Sequence, residues 1–342
     1  MRPAWHSPRR RRTLVAKAVL PRYIPGVSAL SQPGTERQGL APREVARDRP
    51  ARAAWQGIDW RAHQRWVVVE GTPINTIAIG PERADAAQPL VFVHGLSGSW
   101  PNWLEQLPAF ARDHRVIAID LPGFGYSPMP GEQLSIAGYA RMLDRLLGQL
   151  EIDAAAVVGN SMGGFIAAEL AIAVPQRVER LVLVSAAGIS THQPRGSRRA
   201  VPALRRLERI LMASGAWVAS KSDTVARRAR LREATLNVVA RHPSRLSAPL
   251  AAEQLRGAGK AGFIQGLEAV LDYEIRERLG EIACPTLIVW GDRDRLIDVR
   301  DADVFAELIP NSRKVVFADT GHVAMLERPD EFNALLAGFL AE

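Results

Sequence analysis

Short apolar runs that alternate with helical segments are the feature of this chain that most restricts its fold. The apolar runs lie at 90–93, 116–119, 154–158, 181–184, 286–290 and 314–317. Segments 136–150 and 162–173 between them show helical spacing. Strands that are apolar on both faces belong to a parallel sheet covered by helices, so the alternation predicts an α/β layered fold. Segments 66–70 and 74–79 are β-rich and predict a hairpin ahead of the parallel strands.

The 342 residues are enough for one large α/β domain with an insertion. We predict that residues 61–189 and 261–342 form the core of this domain. Residues 1–60 are basic and lack a sustained period, which predicts a disordered N-terminal extension. Residues 190–260 interrupt the rhythm of strands and helices. They are arginine-rich and helical in pattern, and we expect them to form an inserted lid.

The net charge of +8 is unevenly distributed. Residues 190–260 hold 15 Lys and Arg against 4 Asp and Glu, and residues 1–55 hold 12 against 3, whereas the remainder is acidic. This asymmetry points to an anionic surface or an acidic carrier protein as a partner of the lid, although solvated arginines on helix faces would give the same composition. We expect no nucleic-acid partner. No apolar run approaches the ~18 residues of a membrane span, so no transmembrane segment is expected.

Cys284 is the only cysteine, so no intrachain disulfide can form. A chain without disulfides fits a reducing compartment and predicts a cytoplasmic protein. Cys284 lies in an apolar stretch ahead of the run at 286–290, and we interpret it as a small buried hydrophobe rather than a nucleophile. The histidines and the cysteine show no metal-ligand spacing, so no metal is predicted.

The strongest chemical signal is Gly-Asn-Ser-Met-Gly-Gly at 159–164, between an apolar run and a helical segment. A nucleophilic serine on a sharp strand-to-helix turn needs small neighbours two residues away on each side, and Gly159 and Gly163 supply them. The turn raises the hydroxyl of Ser161 above the sheet, at a helix N-terminus that favours developing negative charge. The motif therefore predicts Ser161 as a nucleophile.

A second motif, His94-Gly95-Leu96, directly follows the run at 90–93. A tetrahedral intermediate needs two donors aimed at its oxyanion, and we expect these to be the backbone N–H groups of Leu96 and Met162. His94 is a rival for the role of general base. At a strand terminus, however, a histidine more often holds loops through hydrogen bonds.

Two aspartates and a histidine follow later apolar runs. Asp292 and Asp294 come directly after the run at 286–290, and His322 lies shortly after the run at 314–317. Because the carboxyl ends of parallel strands meet at one edge of a sheet, we expect these side chains near Ser161. His322 would act as the general base, and an aspartate would orient its imidazole.

From about residue 66 onward the chain resembles the α/β-hydrolase superfamily, in the branch of esterases, perhydrolases and carbon–carbon bond hydrolases. Residues 120–127 are similar to its DxPGxGxS loop and residues 321–329 to its GHxxxxExP tail. The order Ser, Asp, His is also that of the family. The resemblance implies a mostly parallel eight-stranded sheet flanked by helices, an inserted helical lid and no cofactor. It implies that Asp294 is the catalytic acid and that Asp292 is structural.

The resemblance also makes some of the candidate reactions more plausible than others. Epoxide hydrolases and haloalkane dehalogenases of this fold use aspartate at the elbow, so Ser161 argues against both. Epoxide hydrolases also use lid tyrosines as donors to the epoxide oxygen, and residues 190–260 contain no tyrosine. The elbow is similar to that of carbon–carbon hydrolases of ring-cleavage products. Those enzymes commonly carry tryptophan after the catalytic histidine, and this chain has Val323. We therefore expect hydrolysis of a small-molecule carboxylic ester, with carbon–carbon cleavage and a slow-turnover receptor as alternatives.

Overall fold

A computed structural model describes residues 53–81, 87–191 and 214–342. Most of the predicted N-terminal extension, residues 1–52, lies outside the described residues, as do residues 192–213 of the predicted lid. Residues 53–60 were assigned to the extension, but they contribute the buried Trp55 to the core. Its indole Nε1 donates a hydrogen bond to Glu105 at 3.2 Å. A single buried tryptophan in a stretch without periodicity leaves no pattern from which its burial could be predicted.

Eight strands form a single sheet in the order β1-β2-β4-β3-β5-β6-β7-β8. The strands are β1 (Gln64–Val69), β2 (Thr72–Ile79), β3 (Ala87–Val93), β4 (His114–Ile119), β5 (Ala155–Asn160), β6 (Val178–Val184), β7 (Thr286–Gly291) and β8 (Ser312–Phe317). β2 is antiparallel to β1 and β4, and every other pair is parallel. The predicted hairpin and the predicted mostly parallel eight-stranded sheet are both confirmed.

Helices connect and cover the strands. They are α1 (Leu107–Phe110), α2 (Ile136–Gln149), α3 (Met162–Ala173), α4 (214–220), α5 (Ser222–Arg227), α6 (Ala229–Leu236), α7 (Ala248–Arg256), α8 (Phe263–Asp272), α9 (Arg300–Leu308), α10 (Ala324–Glu327) and α11 (Pro329–Leu340). Among the described residues, every helix is too short or too polar to span a bilayer.

The sheet separates two apolar layers, which explains why its strands are apolar at successive positions. Val91 and Ile117 belong to the layer that contains α2, α3 and α9, whereas Leu90 and Phe92 belong to the layer that contains α1, α10 and α11. Neighbouring side chains of one strand point to opposite faces, so burial of both faces requires an uninterrupted apolar run.

The register of the parallel strands brings their carboxyl ends to one edge. Val93 at the end of β3 pairs with Gly159 in β5, and Asn160 pairs with Val184 at the end of β6. The loops after β3, β5, β7 and β8 therefore leave the sheet from a common edge. The segment between β6 and β7 contains α4–α8, and its described part has no strand.

Candidate active site

Ser161 lies at the sharp turn between β5 and α3. Its backbone has φ 55° and ψ −120°, a strained conformation that costs a non-glycine residue about 1–3 kcal/mol. The turn closes only because two neighbours lack side chains. A Cβ on Gly159 would lie 2.3 Å from the carbonyl oxygen of Gly163, and a Cβ on Gly163 would lie 2.2 Å from that of Val93. Ser161 remains partly exposed at this edge of the sheet.

Asp294 and His322 form a buried hydrogen-bonded pair. The Oδ2 atom of Asp294 lies 2.8 Å from Nδ1 of His322, and the side chains are 0% and 4% exposed, respectively. The other oxygen of Asp294 accepts the backbone N–H groups of Leu296 at 2.8 Å and Ile297 at 3.0 Å. Because these donors fix the carboxylate, the imidazole is held with Nδ1 toward Asp294 and Nε2 directed away from it.

Asp292 makes other contacts. Its Oδ1 atom accepts the backbone N–H of Thr320 at 3.3 Å, and its Oδ2 atom lies 3.6 Å from Nε of Arg293. Of the two aspartates that follow β7, Asp294 is thus the one paired with the histidine. Asp292 instead stabilises the loop that leads to His322, through its hydrogen bond with Thr320.

Asn160, the residue before the serine, joins the elbow to the histidine loop. Its side-chain amide donates to the backbone oxygen of Val184 at 3.0 Å and to that of His322 at 3.3 Å. The ends of β7 and the histidine loop also approach closely, because a Cβ on Gly291 would lie 2.2 Å from the carbonyl oxygen of Gly321. The elbow motif contains Asn160, but its spacing predicts no role for this side chain, since the acceptor in the histidine loop lies 162 residues away.

The loop after β3 lies against the elbow. A Cβ on Gly95 would lie 2.9 Å from Cβ of Ser161, so only glycine allows this approach. Leu96 and Met162 are neighbours as well, since a Cβ on Gly266 would lie 3.0 Å from the Leu96 side chain and 3.6 Å from the Met162 sulfur. Within the described residues, the backbone N–H groups of Leu96 and Met162 have no protein acceptor.

His94 holds this loop in place and is not positioned as a base. Its Nε2 accepts the backbone N–H of Leu121 at 3.0 Å, and its Nδ1 lies 2.7 Å from the carbonyl oxygen of Gly95. An accepting Nε2 requires the proton on Nδ1, which then donates to Gly95. Burial lowers the pKa of His94, although Asp120 acts in the opposite direction. The ring is therefore neutral, with both nitrogens engaged.

Asp120 organises the loops around the His94-Gly95-Leu96 motif. Its carboxylate is fully buried and accepts hydrogen bonds from the Asn75 side chain at 2.7 Å and from the backbone N–H groups of Trp100 at 2.8 Å and Tyr126 at 2.9 Å. These bonds fix the loop after β3 to the loop after β4. In the sequence, Asp120 is recognisable only as the first position of the DxPGxGxS-like loop, and the spacing gives no sign of its partners.

Glu327 joins the histidine loop to the segment between β6 and β7. One of its oxygens accepts the backbone N–H of Gly321 at 2.8 Å, and the other accepts those of Arg241 at 2.8 Å and His242 at 3.2 Å. Burial raises the pKa of Glu327, and the three N–H donors oppose that shift. The tail motif contained this glutamate, but no pattern in the sequence connected it to residues 241 and 242.

Further contacts connect the same two segments. The backbone N–H of His322 donates to the carbonyl oxygen of Val239 at 2.9 Å. Asp319 lies 2.7 Å from Nε2 of His242 and accepts a hydrogen bond from Nε of Arg241 at 3.1 Å. The bond to His242 is the main cause of the lowered pKa of Asp319. The loop that carries His322 is therefore held from both sides.

Cys284 lies away from this arrangement. It precedes β7, whereas Asp294 follows the carboxyl end of that strand, so the two residues are at opposite edges of the sheet. Cys284 packs against the core, and burial raises the pKa of its thiol. A thiol held in its protonated form is a poor nucleophile.

Comparison with known proteins places the chain in a family. The family model of the alpha/beta hydrolase fold matches residues 88–329. One similar protein is the dihydrolipoyllysine-residue acetyltransferase component of the acetoin cleaving system of Cupriavidus necator. It is 30% identical to this chain, and the match covers 86% of this chain and 71% of that protein. The 2-hydroxymuconate semialdehyde hydrolase of Pseudomonas sp. is 31% identical over 75% of this chain and 88% of its own. The chain belongs to the α/β-hydrolase fold family.

A solved structure agrees with this assignment. The crystal structure of a membrane phospholipase A, described as a bacterial virulence factor, is 28% identical to this chain, with a TM-score of 0.64. The match covers 81% of this chain and 85% of that one.

Proposed function

We propose that the chain is a serine hydrolase that cleaves carboxylic esters through an acyl-enzyme on Ser161. The observation that carries this proposal is the buried Asp294–His322 pair, tied through Asn160 to the strained elbow of Ser161. In the proposed cycle, His322 takes the proton of the Ser161 hydroxyl as the serine oxygen attacks the ester carbonyl. Asp294 keeps the proton on Nδ1 of the imidazole and stabilises the imidazolium.

The backbone N–H groups of Leu96 and Met162 are the proposed oxyanion hole. Both donors lack a protein acceptor within the described residues, and the loop of Leu96 packs on Ser161 through Gly95. Donors fixed in place before the reaction stabilise the charge that develops on the carbonyl oxygen. His322 then protonates the leaving alkoxide, and a water molecule activated by the same imidazole releases the acid.

The choice of ester over a carbon–carbon bond rests on two observations. The similarity to a membrane phospholipase A supports ester cleavage, whereas the similarity to 2-hydroxymuconate semialdehyde hydrolase supports carbon–carbon cleavage as the second candidate. Val323 is buried directly after His322, where carbon–carbon hydrolases of this branch commonly carry tryptophan. Ester hydrolysis is therefore the first choice.

Two further assignments belong to this proposal. The segment between β6 and β7 is the lid, which is supported by its contact with the loop after β3: a Cβ on Gly257 would lie 2.2 Å from the carbonyl oxygen of Ser97. The cytoplasm is the proposed location, because Cys284 has no second cysteine with which to form a disulfide.

Titration with a fluorescent fluorophosphonate, followed by p-nitrophenyl esters of several chain lengths, tests the proposal. We expect wild type to be labelled and to turn over esters steadily, and Ser161→Ala to do neither. Labelling without ester turnover would move the assignment to carbon–carbon cleavage, and a burst of one product equivalent would favour a receptor. Equal labelling of both proteins would disprove the role of Ser161.

A further inference from the structure

Two exposed large apolar side chains lie on α6 and on the turn that follows it. The described residues include seven such side chains, and three of them, Trp217, Leu231 and Val238, fall within the segment between β6 and β7. Leu231 is 37% exposed and Val238 is 49% exposed. They are seven positions apart, and a turn at 237–239 continues α6, so both lie on one face. The opposite face buries Arg232 and Leu236.

A third apolar side chain adjoins this face from the loop after β7. The guanidinium of Arg295 donates to the carbonyl oxygen of Asn237 at 3.2 Å, which places the next residue, Leu296, beside the end of α6. Leu296 is 47% exposed. Exposed leucine and valine side chains from α6 with its following turn, and from the loop after β7, thus adjoin one another.

Uncompensated positive charge borders the same surface. Arg227, Arg228 and Arg230 are exposed within four residues of Leu231, and among the described residues no carboxylate lies within ion-pair distance of them. Arg256 in the same segment, by contrast, pairs with Asp223 and Glu253. The three arginines are therefore free to meet an external anion.

We propose that Arg227, Arg228, Arg230, Leu231, Val238 and Leu296 form a docking surface for an anionic lipid bilayer. A bilayer interface offers phosphate groups to the arginines and an apolar layer just beneath them to the leucines and valine. A nucleic acid would satisfy only the charges, and an acidic protein would need matching apolar side chains. This bilayer surface goes beyond the proposed reaction and does not depend on it.

The docking surface lies beside the loops that hold the proposed active site. The backbone N–H of Leu296 is bound by Asp294, and the carbonyl oxygen of Val239, next to Val238, accepts the N–H of His322. The surface therefore borders both loops that hold the Asp294–His322 pair. If the proposed ester chemistry is correct, docking presents lipid-borne esters at the edge of the sheet where Ser161 lies.

Co-sedimentation with vesicles tests the docking surface separately from catalysis. The full-length chain carrying Ser161→Ala is mixed with vesicles of equimolar phosphatidylglycerol and phosphatidylcholine, or of phosphatidylcholine alone. We expect binding only to the anionic vesicles. Arg228→Glu with Arg230→Glu should weaken it by roughly 25-fold or more, because each lost arginine costs about fivefold and the added carboxylates are repelled. Arg61→Glu with Arg141→Glu makes the same charge change on exposed arginines of the core and is the matched control.

A second pair of substitutions separates a bilayer from other anions. Leu231→Ser with Val238→Ser removes apolar area without a change in charge, and we expect it to weaken vesicle binding severalfold. Equal loss in the arginine variant and its control, or no loss in either, would overturn the docking surface. Unchanged binding by the serine variant, or displacement from vesicles by single-stranded DNA, would overturn the bilayer as its partner.

Discussion

Glu327 accepts the backbone N–H of Arg241 at 2.8 Å across 86 residues of sequence. The same carboxylate holds the N–H of Gly321, the residue before His322. The partly buried Glu327 side chain therefore fixes the residue before His322 against the segment between β6 and β7. A group that accepts three backbone donors is hard to replace, because every lost acceptor leaves an N–H unsatisfied.

Glu327→Gln should reduce both stability and turnover. The glutamine places an amide nitrogen where one oxygen accepts an N–H, so at least one donor loses its partner. We expect the free energy of unfolding to fall by about 1–3 kcal/mol, and kcat to fall with little change in KM because His322 is displaced. Urea denaturation and steady-state kinetics measure the two effects. Glu307→Gln changes an exposed glutamate of α9 and is the control. Lower stability with unchanged kcat would contradict a positioning role.

Asp294→Asn and Asp292→Asn form a matched pair that separates the two aspartates. Asp294 bonds the imidazole, whereas Asp292 bonds Thr320 and lies near Arg293. An asparagine at 294 offers an N–H to the imidazole and favours the wrong tautomer, so kcat should fall by about 10³- to 10⁴-fold. Asp292→Asn should leave kcat close to that of wild type. Ester kinetics of both variants decide the matter, and the reverse order would move the acid to Asp292.

The strand pattern indicates that Ser161, Asp294 and His322 meet at one edge of the sheet, because each of them follows a strand. Ser161, Asp294 and His322 lie far apart in the chain, but parallel strands bring their carboxyl ends together whatever the length of the connections. The apolar runs were detectable for the same physical reason, since burial on both faces leaves no polar alternation. The mostly parallel eight-stranded sheet was predicted from the family resemblance, whereas the order of its strands was not predicted and is a finding of the structure.

The supporting contacts could not be predicted in the same way. The donors in the bonds from Arg241 to Glu327 and from His322 to Val239 are backbone N–H groups, which every residue except proline carries. Only the tertiary packing of the segment between β6 and β7 decides which of them meet. The neutral state of His94 was equally hidden, because it depends on the N–H of Leu121 pointing at Nε2.

The buried neutral His94 should make stability fall in mild acid. Burial lowers the pKa of His94 in the folded state, while the unfolded state keeps a pKa of about 6.5. Below that pH the unfolded chain binds a proton that the folded chain excludes, so stability is lost as the pH falls through about 6.5. His94→Gln keeps an acceptor for Leu121 but does not titrate. Denaturation midpoints between pH 5 and 8 should therefore vary less in the variant, and equal slopes would contradict the neutral assignment.

Two glycine-to-alanine changes should act in opposite directions. A Cβ on Gly163 would overlap the backbone of Val93 and His94, so Gly163→Ala must displace the elbow. We expect a loss of both stability and fluorophosphonate labelling. Gly338 lies within α11 with nothing within 4 Å of its missing Cβ. Gly338→Ala should stabilise the protein by about 0.8–1 kcal/mol, as alanine does in helix interiors. Thermal unfolding of both variants provides the comparison.

The attachment of residues 239–242 to the histidine loop has a consequence for protein engineering. A chimaera that exchanges residues 190–260 for the corresponding part of another hydrolase also exchanges the Val239 acceptor and the Arg241 and His242 donors that meet Glu327. Such a graft would exchange the proposed lid and displace His322, the proposed general base, in the same step. Recombination breakpoints at residues 190 and 236 keep this support in the recipient, because residues 239–242 then stay with the loop that they hold.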